Sequence, residues 1–315
     1  MYYPYFRGKQ FELILLRDNA QFLANNNIHP IIEPVKEDFT SLAKTIKVLH
    51  EKKVASTIII NPKVGESPID EMLVTGLIEE TLKDFNSFSI GYILHAESNL
   101  NDLLVLLNKF SKQHFTLIHY GFKDSKELSV ELAKHKNVTR HVFIEGYAQK
   151  LYQRHLRKAG IERILIRNGF KPQKKNANYP PSEQFSDLHI TYPDEGMDGF
   201  GDYLIVGDEF KESGGPAYAV AIHLTYLDED DNMNIFHFIS DQTDSPTDPG
   251  GKFFEALNKL VKEFNKPKTQ IYKSSACEEY LSLHKMKHYP GLGTVKKLSM
   301  QHHLELVAEY LRRAE

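Results

Sequence analysis

The sequence predicts an α/β protein built as a (β/α)8 TIM-like barrel, with an open doubly wound sheet as the alternative. From residue 1 to about 210, short β-branched or aromatic runs alternate with longer amphipathic segments, and most successive runs start about 25 to 30 residues apart. The first strand-to-helix turn reads FRGKQFE and lacks G-x-G-x-x-G, which disfavours the dinucleotide-binding form of the open sheet.

The strand candidates are YYPYF (2 to 6), PIIEP (30 to 34), STIIIN (56 to 61), FSIGYIL (88 to 94), FTLIHY (115 to 120), RHVFIE (140 to 145), RILIR (163 to 167) and DYLIVG (202 to 207). Helical signals fill the gaps. Phe39, Leu42, Ala43, Ile46 and Leu49 make one apolar stripe. Ser67, Pro68 and Asp70 read as a helix start, with a cap, a first-turn proline and an acid. Leu100, Leu103, Leu104 and Leu107 form a further stripe, Asp124 and Glu127 have capping-box spacing, and Tyr147 through Leu156 leads to a stop at Gly160. Residues 168 to 187, rich in Pro, Asn and Lys, have no periodicity and read as a long loop that delays the eighth strand.

After Gly207 the pattern changes. AYAVAIHLTYL and NIFHFIS flank the acidic turn DEDDN as an antiparallel hairpin, and KFFEALNKLVKEF and HLELVAEYLRRAE read as helices. The expected organisation is therefore a barrel over residues 1 to 210 and a hairpin-plus-helix extension over 211 to 315, packed on it.

Composition narrows the function classes. The chain has 315 residues, 41% hydrophobic and 26% charged, the balance of a globular protein with a full core. A net charge of -3 and a pI near 6.6 give no global attraction to nucleic acid. No apolar run approaches the ~18 residues of a membrane span, and MYYPYFRGKQ lacks the features of a signal peptide, so a cytoplasmic location is expected. Cys277 is the sole cysteine and is expected to be a buried thiol at a helix start.

In such a barrel, reactive groups lie past the C-terminal ends of the strands. Those positions are Arg7 and Lys9, Glu33 and Lys36, Asn61 and Lys63, His95 and Glu97, His119, Glu145, Arg167, and Asp208 and Glu209. Three chemistries could use them. Glu33 and Glu145 could form an acid and base pair. Glu33, His95, His119 and Glu145 could hold a divalent metal such as zinc or manganese. Arg7, Lys9, Lys36, Lys63, Arg167 and the neighbouring Asp208 could bind a phosphate or carboxylate. No compact H-E-x-x-H motif supports the metal, so binding of an anionic small molecule or nucleotide ranks first, with Glu33, Glu145, His95 and His119 as the catalytic candidates. The bland alternative is that these opposite charges neutralise one another. Weaker candidates are the lysines Lys171, Lys174 and Lys175, the pair Gly214 and Gly215, the hairpin histidines His223 and His237, expected to face each other, and His302 with His303, expected not to share one site.

The opening YYPYFRGKQFELILL, followed by HPIIEPVK, resembles the start of the phage-type beta protein family, whose members typically begin Y-x-P-x-x-[KR]-x-[KR]-Q-x-E and reach P-x-I-E. FGDY at 200 to 203, the strand A-x-A-I-x-L-T-Y at 219 to 226 and GLGTVKKLSMQHHLELV are similar to its C-terminal half. The matched positions are Arg7, Lys9, Gln10, Glu12, Glu33, Gly201, Asp202, His302 and His303. The family often has a C-terminal tryptophan and this chain has none, which implies different packing there. The resemblance implies a setting among mobile elements and phage-defence genes, beside a small nuclease-like partner, and no particular reaction. A hydrolase, or an interaction module docking that partner through its C-terminal region, would both fit it.

Overall fold

The computed structural model describes residues 1–65, 71–77, 79, 87–211 and 214–314. The expected helix start at Ser67, Pro68 and Asp70 lies outside them. The chain divides into two compact units, one of residues 1–167 with 188–202 and one of 168–187 with 203–315.

The first unit is a (β/α)8 barrel. Its strands are β1 (Tyr5–Phe6), β2 (Ile31–Ile32), β3 (Ser56–Ile59), β4 (Phe88–His95), β5 (Phe115–Tyr120), β6 (Val138–Ile144), β7 (Glu162–Ile166) and a last strand, Gly199–Gly201, which is β9 in chain order. They form one eight-stranded sheet in the order β1-β2-β3-β4-β5-β6-β7-β9, every pairing parallel. Parallel strands need crossovers. These are α1 (Gln10–Asp18) and α2 (Ala20–Asn25), α3 (Thr40–Glu51), α4 (Glu71–Leu77), α5 (Leu100–Lys109), α6 (Ser125–Leu132), α7 (Lys150–His155) and α8 (Leu188–Thr191). The sheet closes on itself through Tyr2 bridged to Phe200, with Tyr3 N–H donating to Phe200 O at 2.8 Å and Tyr5 N–H to Asp202 O at 2.9 Å. The doubly wound alternative is thereby excluded.

The eighth strand differs from expectation. DYLIVG is not a strand, since Leu204–Val206 form a 3-10 turn, and the strand is the preceding Gly-Phe-Gly. The reason is space at the closing seam: a Cβ on Gly201 would stand 2.1 Å from the Tyr3 carbonyl oxygen. A β-propensity reading passes over such glycines because their merit appears only when the first and last strands meet. Gly201→Ala should therefore open this seam and cost about 2 kcal/mol or more, the scale of overpacking a core, read as a fall in the denaturation midpoint.

Inside the barrel, the N-terminal ends of the strands are plugged by polar groups. Ser89 Oγ lies 2.8 Å from Thr116 Oγ1, and Arg140 Nε donates to Glu162 at 2.8 Å with its guanidinium over the Tyr3 ring. A ligand therefore has the opposite, C-terminal mouth.

The second unit holds a three-stranded antiparallel sheet, ordered β10 (Ala221–Leu227), β11 (Met233–Ile239) and β8 (Ser182–Ser186). The hairpin is as expected, but the supposed long loop at 168 to 187 supplies its third strand, paired to β11. That strand is polar and short, so its own pattern does not announce it. Three helices follow, α9 (Pro249–Phe264), α10 (Ser275–Met286) and α11 (Leu292–Ala314). Ile222, Leu224, Phe253, Leu257, Tyr280 and Leu298 belong to one buried core. Cys277 is buried in the first turn of α10, capped by Ser274.

His302 and His303 both reach Thr225, each through a different atom. Both are buried, and they straddle β10: His302 Nε2 is 2.7 Å from the Thr225 carbonyl, and His303 Nδ1 is 3.0 Å from the Thr225 hydroxyl. Residues 302 to 308 of α11 are all buried, so the apolar face of HHLELVAEYL is covered and offers no docking stripe. Among the described residues no helix is long and apolar enough to cross a membrane.

Candidate functional site

Glu33 directly follows β2 at the C-terminal mouth of the barrel and is 1% exposed. A carboxylate so buried needs partners. Three donors from two neighbouring strand ends supply them: the Tyr5 hydroxyl at 2.8 Å and Arg7 Nη1 at 3.0 Å on Oε2, and the Lys63 backbone N–H at 2.7 Å on Oε1. Glu33 and Arg7 thus form an ion pair. Gly8 lets the chain turn closely over this carboxylate: its φ is +59°, and a Cβ there would lie 3.0 Å from the Glu33 carbonyl oxygen. The Arg7 N–H then donates to Glu12 of α1 at 2.6 Å, so the motif R-G-K-Q-x-E folds back on itself.

Lys63, fixed by its backbone, places its ammonium 3.8 Å from the centroid of the Tyr120 ring. Tyr120 stacks on Tyr147 with centroids 4.0 Å apart and 22° between planes. His95, at the end of β4, meets Tyr120 edge-on with centroids 6.2 Å apart. Burial first, and then the Lys63 charge, lower the His95 pKa, with Glu33 and Glu97 opposing. His95 is therefore a neutral imidazole at pH 7. Asn61 fixes this end of β3 to β4, exchanging hydrogen bonds with the Ile93 N–H at 2.8 Å and carbonyl at 2.9 Å. Beyond Arg7 and Glu33, a cavity of about 260 Å³ opens between α1 and α3, lined by Gly8, Gln10, Pro34, Lys36 and Phe39 among others.

Arg7, Glu33, Lys63 and His95 thus share one mouth, and Lys36 lines the adjoining cavity. Lys9 is the N-cap residue of α1. The other expected residues fall elsewhere. His119 is 0% exposed and points away from the barrel axis: its Nδ1 lies 2.7 Å from the Tyr152 hydroxyl of α7 and its Nε2 2.9 Å from His141 Nδ1. Strand alternation sends Tyr120, not His119, to the inside. Glu145 is bonded to Arg167 Nε at 2.8 Å in a rim ion pair, with Lys150 paired to Glu195 beside it, so the neutralising alternative holds for these residues. Asp208 belongs to the second unit, where it accepts from Asn168 Nδ2 at 2.8 Å; without a strand at 202 to 207, it does not stand at a strand end. The proposed metal set of Glu33, His95, His119 and Glu145 is thereby dispersed, and among the described residues no three His, Cys, Asp or Glu side chains are placed to hold a metal. His223 and His237 do face each other, Nδ1 to Nδ1 at 2.7 Å, in the second unit.

Tyr5, Tyr120 and Tyr147 are the site residues that charge-based reading misses. Of the three only Tyr120 carried a positional signal, as the last residue of β5; Tyr5 opens β1 and Tyr147 lies in the turn after β6.

The fold and this mouth define a class: a (β/α)8 barrel with a charged and aromatic C-terminal rim. No family model matches the chain, and no curated protein matches it. Among solved structures, a mutant O-GlcNAc hydrolase of Thermobaculum terrenum is similar over 65% of this chain and 54% of that one, with a TM-score of 0.36 and 14% identity. The chain spans about half the length of that protein, and a likeness so slight transfers neither activity nor substrate.

Proposed function

We propose that the barrel binds a small phosphate-bearing anion at its C-terminal rim and hydrolyses it, with His95 as general base. The observation that carries this reading is the buried Glu33, which gathers Arg7 and the Lys63 backbone at the same mouth as His95. Glu33 has three donors on its two oxygens, so its part is to orient the cations. A neutral imidazole can take a proton. It would remove a proton from water as the water oxygen bonds to phosphorus and the leaving oxygen departs, taking that proton back, while Arg7 and Lys63 balance the developing negative charge. Resemblance of the chain's ends to the beta protein family supports placing this activity in defence against phage, beside a nuclease-like partner.

Calorimetric titration with pyrophosphate and with ribose 5-phosphate, together with phosphate release, tests the reading. Lys63→Ala should weaken binding by about tenfold, the worth of a charged hydrogen bond. His95→Gln should lower phosphate release by about 100-fold and affect affinity far less. A wild-type chain that binds neither compound at millimolar concentration rules the reading out.

A further inference from the structure

We infer that the anion is a nucleotide, whose base stacks on Tyr147 while its phosphate meets Lys63; this rests on the anion-binding reading above. Tyr147 follows β6 in a turn held by its own N–H to the Ile144 carbonyl at 3.1 Å. The residue is 47% exposed, yet its ring is backed by the Tyr120 ring at 4.0 Å. A large ring left half in water but fixed from behind is a preformed shelf, already ordered before a ligand arrives. Every nucleobase has a flat π-face that such a shelf accepts. The Lys63 ammonium lies 6.0 Å from the Tyr147 centroid, so the cation and the shelf stand on one rim within reach of a single nucleotide. Sugar phosphates would use the same cation and leave the shelf uncovered. Tyr147 is thus a specificity-determining residue that separates nucleotides from other phosphate compounds.

The test compares the affinities of AMP and ribose 5-phosphate, which differ by the base alone. The wild-type chain should favour AMP by about tenfold or more, within the range of one base on one aromatic ring. Tyr147→Phe should keep that ratio and Tyr147→Ala should reduce it to about one. Equal affinities in the wild-type chain, or a ratio unchanged in Tyr147→Ala, overturn the nucleotide inference and leave anion binding standing. Failure of both compounds and of pyrophosphate to bind overturns both.

Discussion

Replacing Glu33 by alanine should lower the melting temperature by roughly 10 °C, the largest effect expected of any rim substitution. The substitution removes at once the acceptor shared by a largely buried guanidinium, the Tyr5 hydroxyl and the Lys63 N–H. Removing one partner of a buried ion pair costs about 3–5 kcal/mol, because the other charge is left without compensation. For a chain of this size each kcal/mol lowers the melting temperature by about 2–4 °C. Arg7→Ala alone should also destabilise, and Arg7→Ala combined with Glu33→Ala should cost much less than the sum, since the double variant buries no lone charge. Thermal denaturation of the three variants measures this. Additive losses would show that Glu33 and Arg7 do not act as a pair.

The second large effect is acid destabilisation from histidines that are neutral in the folded chain. Burial, and then the nearby Arg163, lower His141 to about 4; burial, and then Arg140, lower His29 to about 4. His119 is lowered in the same direction by burial and by His141. Unfolded histidine titrates near 6.5, so below that pH the unfolded chain takes up protons that the folded chain refuses. The associated stability is whole above pH 6.5 and is lost as pH falls from 6.5 toward 4. For His141 alone the loss is on the order of 3 kcal/mol at the bottom of that window. Urea denaturation at successive pH values should show the midpoint falling through this interval, and His141→Gln should flatten part of the slope. A midpoint constant between pH 7 and 5 would contradict the assignment.

How the rim reads from sequence depends on the face of each strand. Glu33 and His95 were legible because one directly follows an apolar strand and the other ends one, and both point to the mouth. His119 has the same local signature, but it lies one residue before the end of β5, and that single step turns it to the helix side. Glu145 and Arg167 also follow apolar runs, yet they spend their charge on each other. No local pattern distinguishes a carboxylate that organises a site from one that closes an ion pair.

By itself the sequence determined the parallel β/α repeat, the hairpin and the polar character of the strand ends, and left barrel and open sheet both standing. Those follow from hydrophobic period and crossover length, which are local properties. Only the tertiary structure decided that Gly-Phe-Gly closes the sheet, that residues 182 to 186 pair with β11, and that Arg7, Glu33, Lys63, His95, Tyr120 and Tyr147 meet. Each of these depends on register between strands far apart in the chain. A contact between distant positions has no trace in the periodicity of either segment until closure sets which faces look inward.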